Sequence, residues 1–249
     1  MKLSIITVVY NNERTITDAV QSVLAQTYKD IEYIVIDGGS TDGTVNKLAP
    51  YRGDIHHFVS EKDNGIYDAM NKGLAKATGA VIGILNSDDV YADNKVLETV
   101  MQVFLNDVTL DMVYGDLVYV QPDDLNAVVR TWQSAPYYKT YFEDGHVPPH
   151  PSLFLKRAVY EQAGMFNTTM KLAADYEFML RIFKKYQFRS TYLSHLFVKM
   201  RLGGSTNKSW GNIIKGNLEV LQAWKNNGLT APLLLMPYRM LKRIAQFKK

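Results

Sequence analysis

The chain has 249 residues, 47% of them hydrophobic and 21% charged, the balance of an ordinary folded protein with a substantial core and no low-complexity region. Cysteine is absent, which excludes disulfides and thiolate zinc sites and fits a reducing compartment. The net charge of +3 hides an asymmetry: from Lys208 onward eight Lys or Arg face the single acid Glu219, so the tail carries +7 and residues 1 to 207 carry −4.

The first ten residues stop at Asn11-Asn12-Glu13 without a small-residue cleavage pattern, so they are expected to form a first buried strand (3–10) and not a signal segment. Nowhere does a run reach the roughly 18 to 20 apolar residues that span a bilayer. Ile16, Ala19, Val20, Val23 and Leu24 recur at i, i+3, i+4, i+7 and i+8, with Thr15 and Asp18 in capping-box spacing. An amphipathic helix follows from that spacing. Residues 31–36 predict a second strand that delivers Asp37 at its end, then the turn Gly38-Gly39-Ser40-Thr41-Asp42-Gly43-Thr44 and a short helix to about Leu48. A third strand, 55–60, leads into Glu61-Lys62-Asp63-Asn64-Gly65. Ile66, Ala69, Met70 and Leu74 mark a helix ended by Gly79, and a strand at 80–85, a helix through Val96, Leu97, Val100 and Phe104, and a strand at 112–114 come next. Such alternation is the pattern of βαβ units, so the expected fold class is α/β, with a Rossmann-like, mostly parallel sheet flanked by helices.

Beyond residue 115 the alternation weakens. Two β-like pieces, 117–120 and 128–132, precede a loop rich in Tyr, Pro and His that ends Val147-Pro148-Pro149-His150-Pro151, and loops of that length in compact chains are usually functional or mobile. A strand at 152–155, a short helix ending near Gly164, a helix from 174 to about 185 and strands near 189–192 and 197–200 complete the body.

The run Val81-Ile82-Gly83-Ile84-Leu85 ends in Asn86-Ser87-Asp88-Asp89. Ligands of open α/β sheets bind at the carboxyl ends of strands, and hard divalent cations take carboxylate oxygens, so this is a candidate metal site. Asp37 ends another strand, and a parallel sheet would bring it to the same edge; a plain turn residue is the alternative. The glycine-rich turn after Asp37 lacks G-x-G-x-x-G spacing and no P-loop lysine follows, which argues against NAD and P-loop chemistry.

Four segments in order, Thr7-Val8-Val9-Tyr10-Asn11-Asn12-Glu13, Asp37 to Thr44, Asp63-Asn64-Gly65-Ile66-Tyr67-Asp68-Ala69-Met70-Asn71-Lys72-Gly73 and Leu85-Asn86-Ser87-Asp88-Asp89, resemble the family 2 glycosyltransferases. Ala173-Ala174-Asp175-Tyr176-Glu177-Phe178-Met179-Leu180-Arg181 looks like that family's acidic helix start, so the resemblance covers about 200 residues. It implies an A-type glycosyltransferase fold and an inverting transfer of one sugar from a nucleotide diphosphate, because the Gln-x-x-Arg-Trp motif and transmembrane helices of processive members are missing. The implied layout is a glycosyltransferase domain at 1–207, with a nucleotide-sugar half (1–115) and an acceptor half (116–207), and a basic helical extension at 208–249.

The resemblance also implies roles. Asp88 matches the last acid of the family's Asp-x-Asp motif and would hold Mn²⁺ or Mg²⁺, which neutralises the leaving diphosphate as a Lewis acid. Asn86 stands where the family has the first acid; an amide still hydrogen-bonds a ribose but brings no charge, which lowers the expected metal affinity. Asp89 would cap the next segment or support the ligand from behind. Asp37 would accept a hydrogen bond from the donor base, favouring a UDP-sugar. Tyr10 would stack on that base, or simply end a strand; Glu13 would hold the ribose or base end, or start a helix in solvent. Asp175 is the expected general base toward the acceptor hydroxyl, against the plainer reading of helix N-terminal charge compensation worth about 0.3–1 kcal/mol. His150 would meet donor or acceptor, or serve only the loop. The segment from Lys199 to Asn207 would be a loop whose cations meet the donor phosphates, or a surface turn.

In the tail, Leu229, Leu233, Leu234, Leu235 and Met236 adjoin Tyr238, Arg239, Met240, Leu241, Lys242, Arg243, Ile244 and Phe247, and Pro232 and Pro237 place the start of a helix near 237. Basic and apolar residues mixed in this way suit an anionic membrane surface; packing on the body or on a second subunit is the alternative. Nucleic acid is disfavoured because the basic residues are confined to this tail and no stacking platform accompanies them. The expected partners are a nucleotide-sugar donor and a saccharide or lipid-linked saccharide acceptor in surface-polysaccharide assembly, at a cytoplasmic location on the inner membrane face. A metal-dependent nucleotidyltransferase or pyrophosphatase and a non-catalytic sugar-nucleotide-binding subunit are the competing readings.

Overall fold

The computed structural model describes residues 1–203 and 210–247. One nine-stranded sheet organises them. Strand β1 (Leu3–Val9) is buried along its whole length and lies parallel between β2 (Ile31–Asp37) and β4 (Val81–Ile84), with β3 (His57–Ser60) parallel on the outer side of β2. Side chains alternate across a strand. Ile6 and Val8 therefore enter one core layer with α3 (Ile66–Lys76) and α6 (Ala174–Leu180), whereas Leu3, Ile5 and Val9 enter the other with α1 (Ile16–Leu24) and α4 (Val96–Asn106). Helices α2 (Thr44–Leu48) and α5 (Arg157–Ala163) are short connectors.

The expected fold class holds, with a mixed sheet: β1 to β4 pair in parallel, and the later strands join them mostly antiparallel. The pieces near 112 and 117 are one strand, β6 (Met112–Gln121), which forms an antiparallel hairpin with β7 (Asp124–Trp132). A two-residue connection can only reverse the chain, so no crossover helix intervenes. Strand β8 (Leu153–Lys156) then enters antiparallel between β4 and β6. The pieces near 189 and 197 are likewise one strand, β9 (Ser190–Arg201), parallel to β6 with a register irregularity around Asp116. A short strand that periodicity could not signal, β5 (Asp89–Tyr91), pairs antiparallel with β9.

One expectation about a helix end is corrected. Thr15 precedes α1 without a side-chain cap bond; its hydroxyl donates instead to Asn12 Oδ1 (2.9 Å) and the Ser87 carbonyl (3.0 Å), while Asp18 pairs with Arg201. The tail forms two helices, α7 (Trp210–Asn226) and α8 (Leu235–Ala245). Helix α8 starts two residues before Pro237, because a proline in the first turn lacks an N–H that would have had no helical partner anyway.

Helix α7 docks on α6 through polar contacts that hydrophobic patterning does not show. The Glu219 carboxylate accepts the amides of Lys171, Leu172 and Ala173 just ahead of α6, and Trp224 Nε1 donates to the Tyr176 hydroxyl at 2.9 Å. Helix α8 touches the body through buried Leu235, through Met236 and through Arg239, whose guanidinium lies 4.6 Å from the Tyr176 ring centre. Among the described residues, no helix is long and apolar enough to cross a membrane.

Candidate active site

The carboxyl ends of the parallel strands open into loops that bind one another tightly. After β1, Asn11 adopts a left-handed backbone (φ 46°). Its amide donates to Ser40 Oγ and its Oδ1 accepts the Thr41 amide, both at 2.8 Å. Next to it, Asn12 N donates to Thr44 Oγ1 and Asn12 Nδ2 to Ser87 Oγ at 2.9 Å. The loops after β1, β2 and β4 are thus one hydrogen-bonded rim, which brings Asp37 and Asp88 to a common edge.

Asp37 is fully buried, and both its oxygens are taken: Ser40 N and Ser40 Oγ on one side, Ser60 Oγ at 2.6 Å on the other. This carboxylate holds the turn after β2 in place, at the strand edge where the donor base is expected. The carboxylate of Asp63 occupies the space beside Gly38 that a Cβ there would fill, and its Oδ1 accepts the Gly65 amide at 2.9 Å. Tyr10 is 61% exposed at the rim, while exposed Glu13 accepts the Gly43 amide at 2.8 Å and so clamps the turn after β2.

Asn86 Nδ2 donates to Asp89 Oδ2 at 3.0 Å. Asn86 Oδ1 and Asp89 Oδ1 remain buried without a hydrogen-bond partner. Burial first, and the neighbouring Asp88 charge second, hold the Asp89 carboxyl well above the usual carboxylate range. Asp89 lies inside the sheet behind Asp88, which is only partly buried. Arg201 fastens this corner: Nη1 donates to the Asp88 carbonyl (2.9 Å), Nε to the Pro122 carbonyl (3.0 Å), and the same guanidinium pairs with Asp18. Its charge is committed inside the structure, contrary to the expectation of a phosphate-seeking loop from Lys199 to Asn207. Residues 204–207 lie outside the described residues, as do Lys208, Lys248 and Lys249.

Among the described residues, no cluster of three or more His, Asp or Glu side chains is disposed around one ion. The corner does offer an all-oxygen set with orphaned buried acceptors, and Mg²⁺-like ions are commonly held by one or two carboxylates plus substrate phosphates. The residues fit such an ion.

At the start of α6, Asp175 Oδ1 accepts the Tyr67 hydroxyl at 2.9 Å, a contact between residues 108 positions apart. Tyr67 is buried at the first turn of α3, which follows β3, so α6 joins the same strand edge. His150 packs edge-on against Phe166, with ring centres 5.4 Å apart, and Phe166 in turn lies 5.9 Å from the Tyr67 ring. Burial lowers the His150 pKa, partly opposed by the nearby Asp175 charge. Asp63 and Tyr67 were not assigned roles from sequence, although both lie inside a quoted motif; Arg201 was expected only as one of the cations of the segment from Lys199 to Asn207, not as a clamp on the Asp88 carbonyl.

The profile described as Glycosyl transferase family 2 matches residues 4–162. An uncharacterized glycosyltransferase of Mycobacterium tuberculosis, Rv1514c, is 32% identical over 181 residues, covering 72% of this chain and 68% of the relative. The M. tuberculosis protein named PGL/p-HBAD biosynthesis glycosyltransferase Rv2957 is 28% identical over 209 residues, 82% of this chain and 78% of that one. Among solved structures, S. aureus TarS 1-349 in complex with UDP superposes with a TM-score of 0.69 at 19% identity, covering 96% of this chain and 68% of TarS. The mannosyltransferase PcManGT of Pyrobaculum calidifontis, in complex with GDP-Man and Mn²⁺, gives 0.66 at 20%, covering 97% and 69%. The likeness of fold, the matching profile and the curated relatives agree: this chain belongs to glycosyl transferase family 2 and is a glycosyltransferase.

Proposed function

We propose that the protein is an inverting transferase that moves one sugar from a nucleotide diphosphate, a UDP-sugar first, to a saccharide or lipid-linked saccharide in surface-polysaccharide assembly. The reading rests above all on the Tyr67–Asp175 hydrogen bond, which sets a carboxylate against the same strand edge as the Asp88 loop. UDP in the TarS complex and GDP-Man with Mn²⁺ in PcManGT support a nucleotide-sugar donor.

Residues 1–115 then form the donor half and 116–207 the acceptor half. Tyr10 and Asp37 receive the base, the ring on Tyr10 and a base N–H on the Asp37 carboxylate, with the Asp63 carboxylate beside them across Gly38. Glu13 shapes the turn beside the ribose. Asp88 would hold Mn²⁺ or Mg²⁺, and the ion would supply charge neutralisation at the diphosphate. With Oδ1 held by Tyr67, Asp175 Oδ2 takes the proton of the acceptor hydroxyl. The acceptor oxygen bonds to the anomeric carbon as the carbon–phosphate oxygen bond breaks on the opposite face, and the nucleoside diphosphate leaves with that electron pair. His150, neutral because it is buried, lies near enough to Asp175 to feel its charge.

The test is a panel of nucleotide sugars with Mn²⁺, read by thermal shift and then by nucleotide release with lipid-linked acceptors. Asp175→Asn should leave the donor-induced shift in place and lower transfer by about a hundredfold or more; unchanged transfer removes it as the base. Pyrophosphate or inorganic phosphate as product, in place of nucleoside diphosphate, would favour the nucleotidyltransferase or pyrophosphatase reading.

A further inference from the structure

Helix α8 is mounted the wrong way round for a globular protein. A helix that packs on a body normally turns its apolar stripe inward. Here Leu235 and Met236 anchor the first turn, but the rest of the contact is polar: Arg239 lies on the Tyr176 ring and the Gln246 carbonyl accepts the Thr131 amide at 3.2 Å. At about 100° per residue, Met240, Leu241 and Ile244 fall on the opposite side. They are 64%, 60% and 47% exposed, with Leu233, just before the helix, at 97%, while the Phe247 ring lies 5.2 Å from the Arg130 guanidinium of β7.

Charge identifies what covers this face. From residue 220 to the end of the sequence there is no Asp or Glu, and Glu219 is spent on the amides ahead of α6. Lys242 and Arg243 are exposed and flank the apolar stripe on its two sides. An outward stripe edged by cations matches a bilayer interface, where side chains enter the acyl boundary and Lys or Arg meets anionic headgroups. A symmetric contact with a second copy would set Lys242 and Arg243 against their own equivalents, which like-charge repulsion opposes. We propose that α8, with Leu233, docks the protein on an anionic lipid surface.

This docking does not depend on sugar transfer, and the experiment needs no donor. The full chain is sedimented with vesicles of phosphatidylcholine containing phosphatidylglycerol and with phosphatidylcholine alone. The expected result is partition onto the anionic vesicles, weakened by high salt, and lowered about tenfold or more in Leu241→Asp/Ile244→Asp because two inserting side chains are lost. Val108→Asp, which changes an equally exposed apolar residue (74%) in the α4–β6 loop, should bind as the unaltered protein does. Lys242→Glu/Arg243→Glu should lose anionic preference while keeping its melting temperature, which separates lost docking from lost folding. Equal partition of the unaltered protein and Leu241→Asp/Ile244→Asp overturns the proposal. So does self-association in solution that the same pair of changes abolishes.

Discussion

Tyr67 is the residue on which the proposed chemistry turns most finely. Burial, and after it the Asp175 charge, hold its hydroxyl well above the ordinary tyrosine pKa, so it stays a donor. A hydrogen bond to a charged group contributes about 1.5–3 kcal/mol, so Tyr67→Phe should lower kcat by roughly ten- to a hundredfold. Because the phenyl ring still packs on Phe166, the KM for the donor should be unchanged. Steady-state kinetics with saturating acceptor checks this, and an unaltered kcat would deny Tyr67 its positioning role. Gly38 works by what it lacks: without a Cβ it leaves room for the Asp63 carboxylate beside the turn that Asp37 holds.

At the level of elements, α6 delivers Asp175 but does not position itself. Seven residues long, it is fastened by α7 through the Glu219 carboxylate and the fully buried Trp224. Trp224→Ala removes a large core side chain and its hydrogen bond to Tyr176, which should destabilise the protein by about 3–5 kcal/mol. Urea denaturation measures that loss. Transfer should weaken before donor binding does, since the donor loops are knitted to β1, β2 and β4 and not to α7.

For the whole molecule, acid removes the contributions of two buried groups, His150 and Glu32, while Asp89, with its carboxyl held well above the usual range, gains on protonation. The His150 pKa is lowered in the folded chain, so as pH falls the unfolded chain takes up the proton first; stability is complete above about 6.5 and declines below it. For Glu32, burial alone would raise the pKa, but hydrogen bonds from Ser4 and Thr78 and the Lys2 charge lower it from 4.5 to about 2. Its contribution is present above 4.5 and is lost as pH falls toward 2. Glu32→Gln should cost on the order of 2 kcal/mol in urea denaturation at neutral pH, with the deficit vanishing in strong acid; a deficit independent of pH would show that the Glu32 charge plays no part.

Local pattern alone determined the α/β class and most of the first 110 residues, because alternating burial and 3.6-residue periodicity are properties of neighbouring side chains. It also brought Asp88 and Asp175 forward through their motifs. What it could not show is which lone pairs are already used. The Ser40 and Ser60 hydroxyls that hold Asp37, the Tyr67 donor on Asp175 and the Arg201 clamp on the Asp88 carbonyl come from positions between 3 and 113 residues away. The hairpin of β6 and β7, the antiparallel entry of β8 and the outward apolar face of α8 were likewise decided in three dimensions. Strand direction and helix orientation depend on which surfaces remain to be covered once the core has assembled, and no window of sequence contains that information.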